Sequence, residues 1–526
     1  MPKVLVSDAL SDTAVQIFKD RGVEVDFEPM LGKDKDALLA KIVDYDGLAI
    51  RSATKATEKL IAAGKNLKVI GRAGIGVDNV DIRAATAAGI VVMNTPYGNA
   101  ITTAEHAIAM IFSLMRKIPQ ANQSTHDGKW EKSKFMGAEV FGKTLGLIGC
   151  GNIGSIVADR AIGLKMRVVA YDPFLTDERA LELGVEKSDL DGLLARADII
   201  TLHTPLTDQT RNILNADAFR KMKKGVYVVN CARGGLVDEA ALKQALDDER
   251  VAGAALDVYE SEPATDHALF GHPSVVATPH LGASTKEAQE NVAIQIAEQM
   301  SDYLMRGAVT NALNSPSVTA EEAPRLKPFI ALAENLGAFA GQLSEHAIEK
   351  IEVSYEGDVA KLNTKPLTAS VIAGVLKPML AEVNIVNASV IAKERGISIS
   401  ETLTDDADAY DSVIRLNIVT DFHERGVSGT VFGAASRIID IKGVAMEAGF
   451  APFMLYTTNF DKPGFIGSLG AALGEAGVNI ATFNLGRSGP GEEAIALVAV
   501  DDPISDAVLD RLRALPHVQQ AKALEF

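Results

Sequence analysis

Three polar residues each stand just after a short apolar run. "VYVVN" precedes Arg233, "GAALDVY" precedes Glu262, and "SVVATP" precedes His280. A guanidinium presents a fixed two-pronged cation that suits a carboxylate. An imidazole can take a hydroxyl proton near neutral pH, and a carboxylate beside it orients the ring and favours its charged form. The set suits removal of a proton from a bound hydroxy acid. Singly, each has a plainer reading: a solvated loop arginine, a surface glutamate, a histidine capping the next helix. Their shared placement after successive runs favours the joint reading.

A second group lies upstream. "LGLIGCGNIG" holds Gly149, Gly151 and Gly154 in G-x-G-x-x-G spacing, and "RVVAYD" ends in Asp172. A strand pattern precedes the glycines, a helix pattern follows, and the acidic residue comes about 20 residues on. Gly149 allows a tight turn, Gly151 lets the backbone approach a pyrophosphate, and Gly154 lets helix pack on strand. The helix N-terminus, through Asn152 and Ile153, supplies N–H donors and positive dipole for phosphates. Asp172 accepts from a ribose 2′-hydroxyl and repels a 2′-phosphate, so NAD is expected over NADP. A turn that serves no nucleotide is the alternative the motif leaves open.

These residues need strands that end together. Residues 1–99 alternate apolar runs ("KVLVSD", "VEVDFEP", "DGLAIRS", "LKVIGRAG", "IVVMNTP") with helical patterns such as "SDTAVQIFKDRG", the rhythm of βαβ units. A long apolar helix follows, "TTAEHAIAMIFSLMRKI". A second α/β series spans about 143 to 283 and includes "DIITLHTP", which ends at His203 and Thr204. Ligands of parallel sheets bind outside the carboxyl ends of the strands, so these polar residues are expected to share one cleft. Another helix is expected over 284–306, and "NALNSPSVTAEEAP" (311–324) reads as a linker. Residues 325–450 carry a mixed pattern. From about 453 the order is strand–helix–strand–strand–helix–strand, a ferredoxin-like unit.

Composition narrows the field. The chain has 526 residues, 47% of them hydrophobic and 23% charged, enough for several cores. A formal net charge of −17 argues against a general nucleic-acid or anionic-membrane surface. Its two cysteines, Cys150 and Cys231, make no disulfide framework and no metal-ligand spacing. No stretch approaches the roughly 20 apolar residues of a membrane span. A soluble, cytoplasmic protein with no bound metal is expected.

"GCGNIG", "HTPLT", "NCARGGLVDE", "ALDVYESEP" and "TPHLGAST" resemble the NAD-dependent D-2-hydroxyacid dehydrogenases. "RSAT" (51–54), "GRAGIGVDN" (71–79), "WEKSKFMG" (130–137) and the long C-terminal extension are similar to the phosphoglycerate-oxidising members. The resemblance implies a flavodoxin-like substrate-binding domain, 1–99 with 284–313, around a Rossmann-type NAD-binding domain, 100–283. An α+β intervening domain, 314–450, and a ferredoxin-like ACT domain, 451–526, would follow. It implies Arg233, Glu262 and His280 as the catalytic set, with Thr204, Ala232, Asp257 and Gly282 joining Asp172 and the glycines along the nucleotide. The implied reaction oxidises 3-phospho-D-glycerate to 3-phosphohydroxypyruvate, the first committed step of serine synthesis. Arg51, Ser52, Arg72 and Asn99 would face the substrate, and Lys132, beside Lys134, would add charge where related members carry arginine.

The C-terminal "TTNFDKPGFIGSLGAALGEAGVNIATFNLGR" (457–487) resembles the ACT module, a small amino-acid sensor. The resemblance implies L-serine as effector between paired modules, with Asp461 and Asn479 as contacts and Asn459 where relatives use histidine or tyrosine. It implies a homotetramer as well. Without it, Asp461 reads as a helix cap and Asn479 as a turn residue. Arg437 and Lys442, in the intervening stretch, read as solvated surface. Two other functions stay open at this point: a dehydrogenase for another acid, such as glycerate, hydroxypyruvate or erythronate 4-phosphate, and a non-catalytic NAD-sensing partner protein of the same fold.

Overall fold

The computed structural model describes residues 1–380, 383–406 and 409–526. The first sheet holds β1 (Lys3–Val6), β2 (Glu24–Phe27), β3 (Gly47–Ile50), β4 (Val69–Arg72) and β5 (Val91–Met93), all parallel, in the order β2-β1-β3-β4-β5. This is the flavodoxin-like order. Its central strands are buried on both faces, which is why they read as continuous apolar runs rather than alternating ones. Helix starts follow the chemistry of the orphan amides. Ser11, Asp34, Thr57 and Asp81 each accept from the amide three residues on.

The second sheet holds β6 (Thr144–Ile148), β7 (Arg167–Tyr171), β8 (Glu186–Lys187), β9 (Ile199–Leu202), β10 (Val226–Asn230), β11 (Val251–Leu256) and β12 (Val275–Ala277). All are parallel, in the order β12-β11-β10-β9-β6-β7-β8. The order reverses between β6 and β9, the switch point where a dinucleotide crosses such a sheet. Helix Ala100–Met115 leads into this unit, and helix Lys286–Arg306 returns from it. Val292, Ile296 and Met300 of the returning helix share a core with Val4, Ala49 and Val69 of the first sheet.

The expected linker is not free. Ala312 bridges Met93 at the outer edge of β5, and Asn314 accepts from the Val92 amide at 2.8 Å and donates to the Ile90 carbonyl at 2.8 Å. Ser, Pro and Asn composition suggested a solvated tether, but an edge strand with unpaired groups recruits whatever chain passes it.

The mixed pattern after 325 resolves into helix Ala323–Leu343, helices Lys365–Leu376 and Ala388–Glu394, and a third sheet. That sheet holds β13 (Ile348–Gly357), β14 (Ser398–Thr404), β15 (Ser412–Thr420), β16 (Glu424–Phe432), β17 (Ala435–Ile441) and β18 (Val444–Gly449), antiparallel except for β13–β14. The fourth sheet holds β19 (Phe453–Phe460), β20 (Ile480–Arg487), β21 (Glu493–Val500) and β22 (Val518–Glu525), antiparallel, in the order β20-β21-β19-β22. Helices Phe465–Glu475 and Asp506–Arg513 cover one of its faces. Helix Ala323–Leu343 covers the other, with Phe339 edge-on to Tyr456 at 5.9 Å between ring centres. The third and fourth sheets therefore share one core. Among the described residues no helix is long and apolar enough to cross a membrane.

Candidate active site and effector region

The glycine loop after β6 has the tightness its spacing implies. Gly149 has φ +91°, and a Cβ there would lie 2.5 Å from the His203 carbonyl oxygen. A Cβ at Gly154 would lie 2.1 Å from the Gly149 carbonyl oxygen. Gly151 caps helix Asn152–Gly163, with open space where a Cβ would stand. Asn152 and Ile153 form the first helical turn, so its free amides face outward beside Gly151. Asp172, one residue past β7, accepts from the Cys150 amide at 2.8 Å and the Phe174 amide at 2.8 Å. Its carboxylate is thereby tied to the glycine loop. The cradle and this acidic residue fit a dinucleotide.

Thr204 follows β9, and Ala232 follows β10. The Asn230 side chain closes the turn after β10: its amide group donates to the Arg233 carbonyl at 2.8 Å, and its oxygen accepts from the Ala232 amide at 3.0 Å. This aims Arg233 across the cleft, where Nε donates to Asp78 at 3.1 Å and Nη1 to the Ala232 carbonyl at 2.7 Å.

Asp257, at the end of β11, is fully buried and acts as an anchor. It accepts from the Leu281 amide at 2.7 Å, the Gly282 amide at 2.8 Å and the Thr278 hydroxyl at 2.6 Å. His106 Nε2 stands 3.3 Å away but off the hydrogen-bond axis. Burial alone would lift this carboxyl, but His106, the Thr278 hydroxyl and the Leu281 amide outweigh it and hold it below the usual carboxylate range. The segment so pinned carries His280, a non-glycine residue at φ +56°. Such backbone is held only where its surroundings over-determine it. His280 Nδ1 lies 2.6 Å from Glu262, whose other oxygen accepts from the Tyr259 amide at 3.0 Å. With a proton on Nδ1 shared with the carboxylate, Nε2 is left as the proton acceptor.

Facing these groups, the first sheet contributes cations. Arg72 ends β4 with its Nε buried and without a hydrogen-bond partner. Burial first, then the nearby Arg233 and Arg51 guanidinium groups, push its pKa down to about 10. Arg51 follows β3; burial lowers its pKa too. Its backbone amide donates to Asp8 at 2.6 Å, and its guanidinium reaches the Ala9 carbonyl at 3.3 Å. Three arginines from three strand ends thus converge.

Other expected residues are placed differently. Ser52 is exposed, and its neighbour Thr54 is the one built into the wall, bonded to Ser7 at 2.8 Å and Asp8 at 2.7 Å. Asn99 is buried at the start of helix Ala100–Met115 and sits against Thr103, which donates to the Gly282 carbonyl at 2.9 Å. It backs the histidine segment rather than lining the open cleft. Lys132 stands exposed on a short 3₁₀ turn. Sequence reading missed Asp8, Asp78, Thr54 and Asn79, which donates to the Arg51 and Thr54 carbonyls at 2.6 and 2.7 Å. For Thr54, Asp78 and Asn79 the only signal was position beside the arginines in "RSAT" and "GRAGIGVDN"; Asp8, at the end of "KVLVSD", had none.

In the fourth sheet the three effector candidates lie apart. Asp461 follows β19 and accepts from Arg487 at 2.8 Å and the Gly491 amide at 3.2 Å. Arg487, then that amide, hold its carboxyl below the usual range. It caps no helix; Gly464 occupies that place. Asn479 is exposed before β20 and donates to Asp501 at 2.6 Å. Arg487 ends β20, so Asp461 and Asn479 stand at opposite ends of an eight-residue strand, roughly 25 Å apart. Asn459 is buried, donates to the Phe460 carbonyl at 2.9 Å, and leaves its side-chain oxygen without a partner.

Comparison with known proteins agrees along the chain. Residues 108–282 match the NAD binding domain of D-isomer specific 2-hydroxyacid dehydrogenases, 325–442 the D-3-phosphoglycerate dehydrogenase intervening domain, and 454–517 the ACT domain. The chain is 43% identical to the D-3-phosphoglycerate dehydrogenase of Bacillus subtilis, covering 100% of both chains. It is likewise 43% identical to that of Archaeoglobus fulgidus, again over 100% of both. Among solved structures, the TT0316 protein of Thermus thermophilus aligns at 34% identity and TM-score 0.55, over 59% of this chain and 99% of that one. The apo D-lactate dehydrogenase of Escherichia coli aligns at 33% identity and TM-score 0.53, over 60% and 100%.

Proposed function

Because this chain belongs to the D-3-phosphoglycerate dehydrogenase family, we propose that its cleft performs the NAD-dependent oxidation of 3-phospho-D-glycerate to 3-phosphohydroxypyruvate, opening serine biosynthesis. The observation that carries the substrate is the convergence of Arg51, Arg72 and Arg233, close enough to depress the Arg72 pKa. A chain of net charge −17 gathers three guanidinium groups there, with Asp8 and Asp78 beside them. That suits a small ligand bearing both a carboxylate and a phosphate.

The geometry supports these roles. Arg233 grips the carboxylate and polarises the forming carbonyl, while Arg51 and Arg72 face the phosphate. His280 Nε2 takes the hydroxyl proton, and Glu262 stabilises the imidazolium that results. Asp257 and Thr103 hold the segment that carries His280. The glycine loop, with Asn152 and Ile153, holds the pyrophosphate, and Asp172 accepts from the adenosine ribose. Thr204, Ala232 and Gly282 line the rest of the nucleotide's path. When bound, NAD supplies the hydride acceptor. We assign 1–99 with 284–313 to substrate binding, 100–283 to the nucleotide, 314–450 to the intervening domain and 451–526 to regulation, all in the cytoplasm.

Regulation requires a second copy. β20 is the terminal strand of its sheet and half of its residues are exposed, with β18 packed against it around Gly486; a terminal strand is an edge for pairing. Two modules joined antiparallel along β20 bring Asn479 of one beside Asp461 of the other. L-serine then bridges them, its ammonium on Asp461, with the buried Asn459 behind. Further association, to a homotetramer, places Lys132 near a neighbouring cleft.

The test is steady-state turnover with NAD of 3-phospho-D-glycerate, D-glycerate and D-lactate. The phosphorylated acid is expected to have the highest kcat/KM by at least about tenfold, the value of one charge-assisted contact. Equal use of D-glycerate would remove the phosphate from the reading, and no turnover of any acid would favour a non-catalytic NAD-sensing protein.

A further inference from the structure

The loop after β4 carries one group with no role in the reading above. Asp78 reaches across the cleft, from the first sheet's domain to the second's, and its Oδ2 accepts from Arg233 Nε at 3.1 Å. On the other flank, Arg233 Nη1 donates to the Ala232 carbonyl at 2.7 Å. The third nitrogen is confined by backbone: a Cβ at Gly76 would lie 1.8 Å from Nη2. The guanidinium is thus held at Nε on one flank and at Nη1 on the other. The N–H groups left on Nη1 and Nη2 form the two-pronged end that a carboxylate takes.

We propose that Asp78 is a positioning residue, which fixes the Arg233 guanidinium so that its free fork meets the substrate carboxylate. This rests on the assignment of Arg233 above.

Two effects of Asp78 oppose each other. Its negative charge repels an anionic substrate, whereas its grip spares the cost of ordering a long side chain on binding. Exposure decides between them. The Asp78 side chain is 75% exposed, so solvent and salt screen its field, while the orientation of Arg233 is fixed by direct contact. Loss of Asp78 therefore weakens substrate binding. For the same reason the pair adds little to folding stability.

The experiment compares Asp78→Ala, Asp78→Asn, Gly76→Ala and Arg233→Ala in the full chain by steady-state kinetics. Asp78→Ala is expected to raise the KM for 3-phospho-D-glycerate about three- to tenfold, the cost of immobilising one flexible side chain. The KM for NAD and the Tm should stay near wild type, and kcat should change less than the substrate KM. Asp78→Asn keeps an acceptor oxygen and should fall between the two. Gly76→Ala should raise the same KM with Asp78 in place, because its methyl displaces the guanidinium. A substrate KM that is unchanged or lowered in Asp78→Ala overturns the proposal, as does a parallel loss of Tm and NAD affinity. If Arg233→Ala is impaired while Asp78→Ala is not, only this inference fails. Should Arg233→Ala behave as wild type, the reading of Arg233 itself fails, and this inference with it.

Discussion

The catalytic cleft and the ACT module both place polar residues at strand ends, yet they are finished differently. In the cleft, strand ends of two parallel sheets converge, and the functional side chains are held by partners on the same chain: Glu262 on His280, Asp78 on Arg233, Asp257 behind the histidine segment. In the ACT module the candidate contacts sit at opposite ends of β20. Asp461 is occupied by Arg487 and Asn479 by Asp501. A parallel sheet gathers its carboxyl ends on one side, so one chain can complete a site. An antiparallel sheet spreads its ends over both sides, and here the candidate contacts are separated by the length of β20.

The largest effect expected is in the cleft. His280→Ala should cut kcat by about 10²-fold or more, the scale of general acid–base work, and Arg233→Ala should raise substrate KM as well as lower kcat. Near-normal kinetics in either would erase the contrast between the two regions. On the other side, Asp461→Ala or Asn479→Ala should abolish inhibition by serine while leaving uninhibited kcat nearly intact, since an effector acts only through differential affinity for two states. Serine inhibition of wild-type strength in both variants would move the effector elsewhere.

Two smaller effects sharpen the cleft. Asp172→Ala should narrow the preference for NAD over NADP by about tenfold, as repulsion of the 2′-phosphate disappears; the ratio of kcat/KM for the two cofactors reads it. His203 is half-buried, and desolvation lowers its pKa from 6.5 to about 4. The unfolded chain then binds the extra proton first. Stability from this group is complete above pH 6.5 and is lost as pH falls towards 4, by up to about 3 kcal/mol. His203→Gln should flatten that loss, seen as apparent Tm between pH 7 and 5.

The glycine loop, Asp172 and the candidate catalytic residues were legible as strand-end groups because each follows a strand whose apolar run announces it. Arg51 and Arg72 were legible as loop cations. Ser52 and Asn99 were less so, because burial and orientation are tertiary: the chain turns so that Thr54 enters the wall and Ser52 leaves it. Asp78 and Asp8 escaped notice because a carboxylate in a loop has no local pattern; its meaning lies in the arginine it meets. The tether at 311–324 read as free because composition does not report an unpaired strand edge. In residues 325–450, six strands alternate irregularly with three helices among the described residues, and the mixed alternation hid both.

The central claim is that one region performs the chemistry and a separate one senses the end product. Calorimetric titration of L-serine into His280→Ala and wild-type chains, with and without 3-phospho-D-glycerate, tests it most directly. Both proteins should give the same serine stoichiometry and comparable affinity, with no displacement by saturating substrate. Absence of serine binding, or its competitive displacement by the substrate, would contradict it.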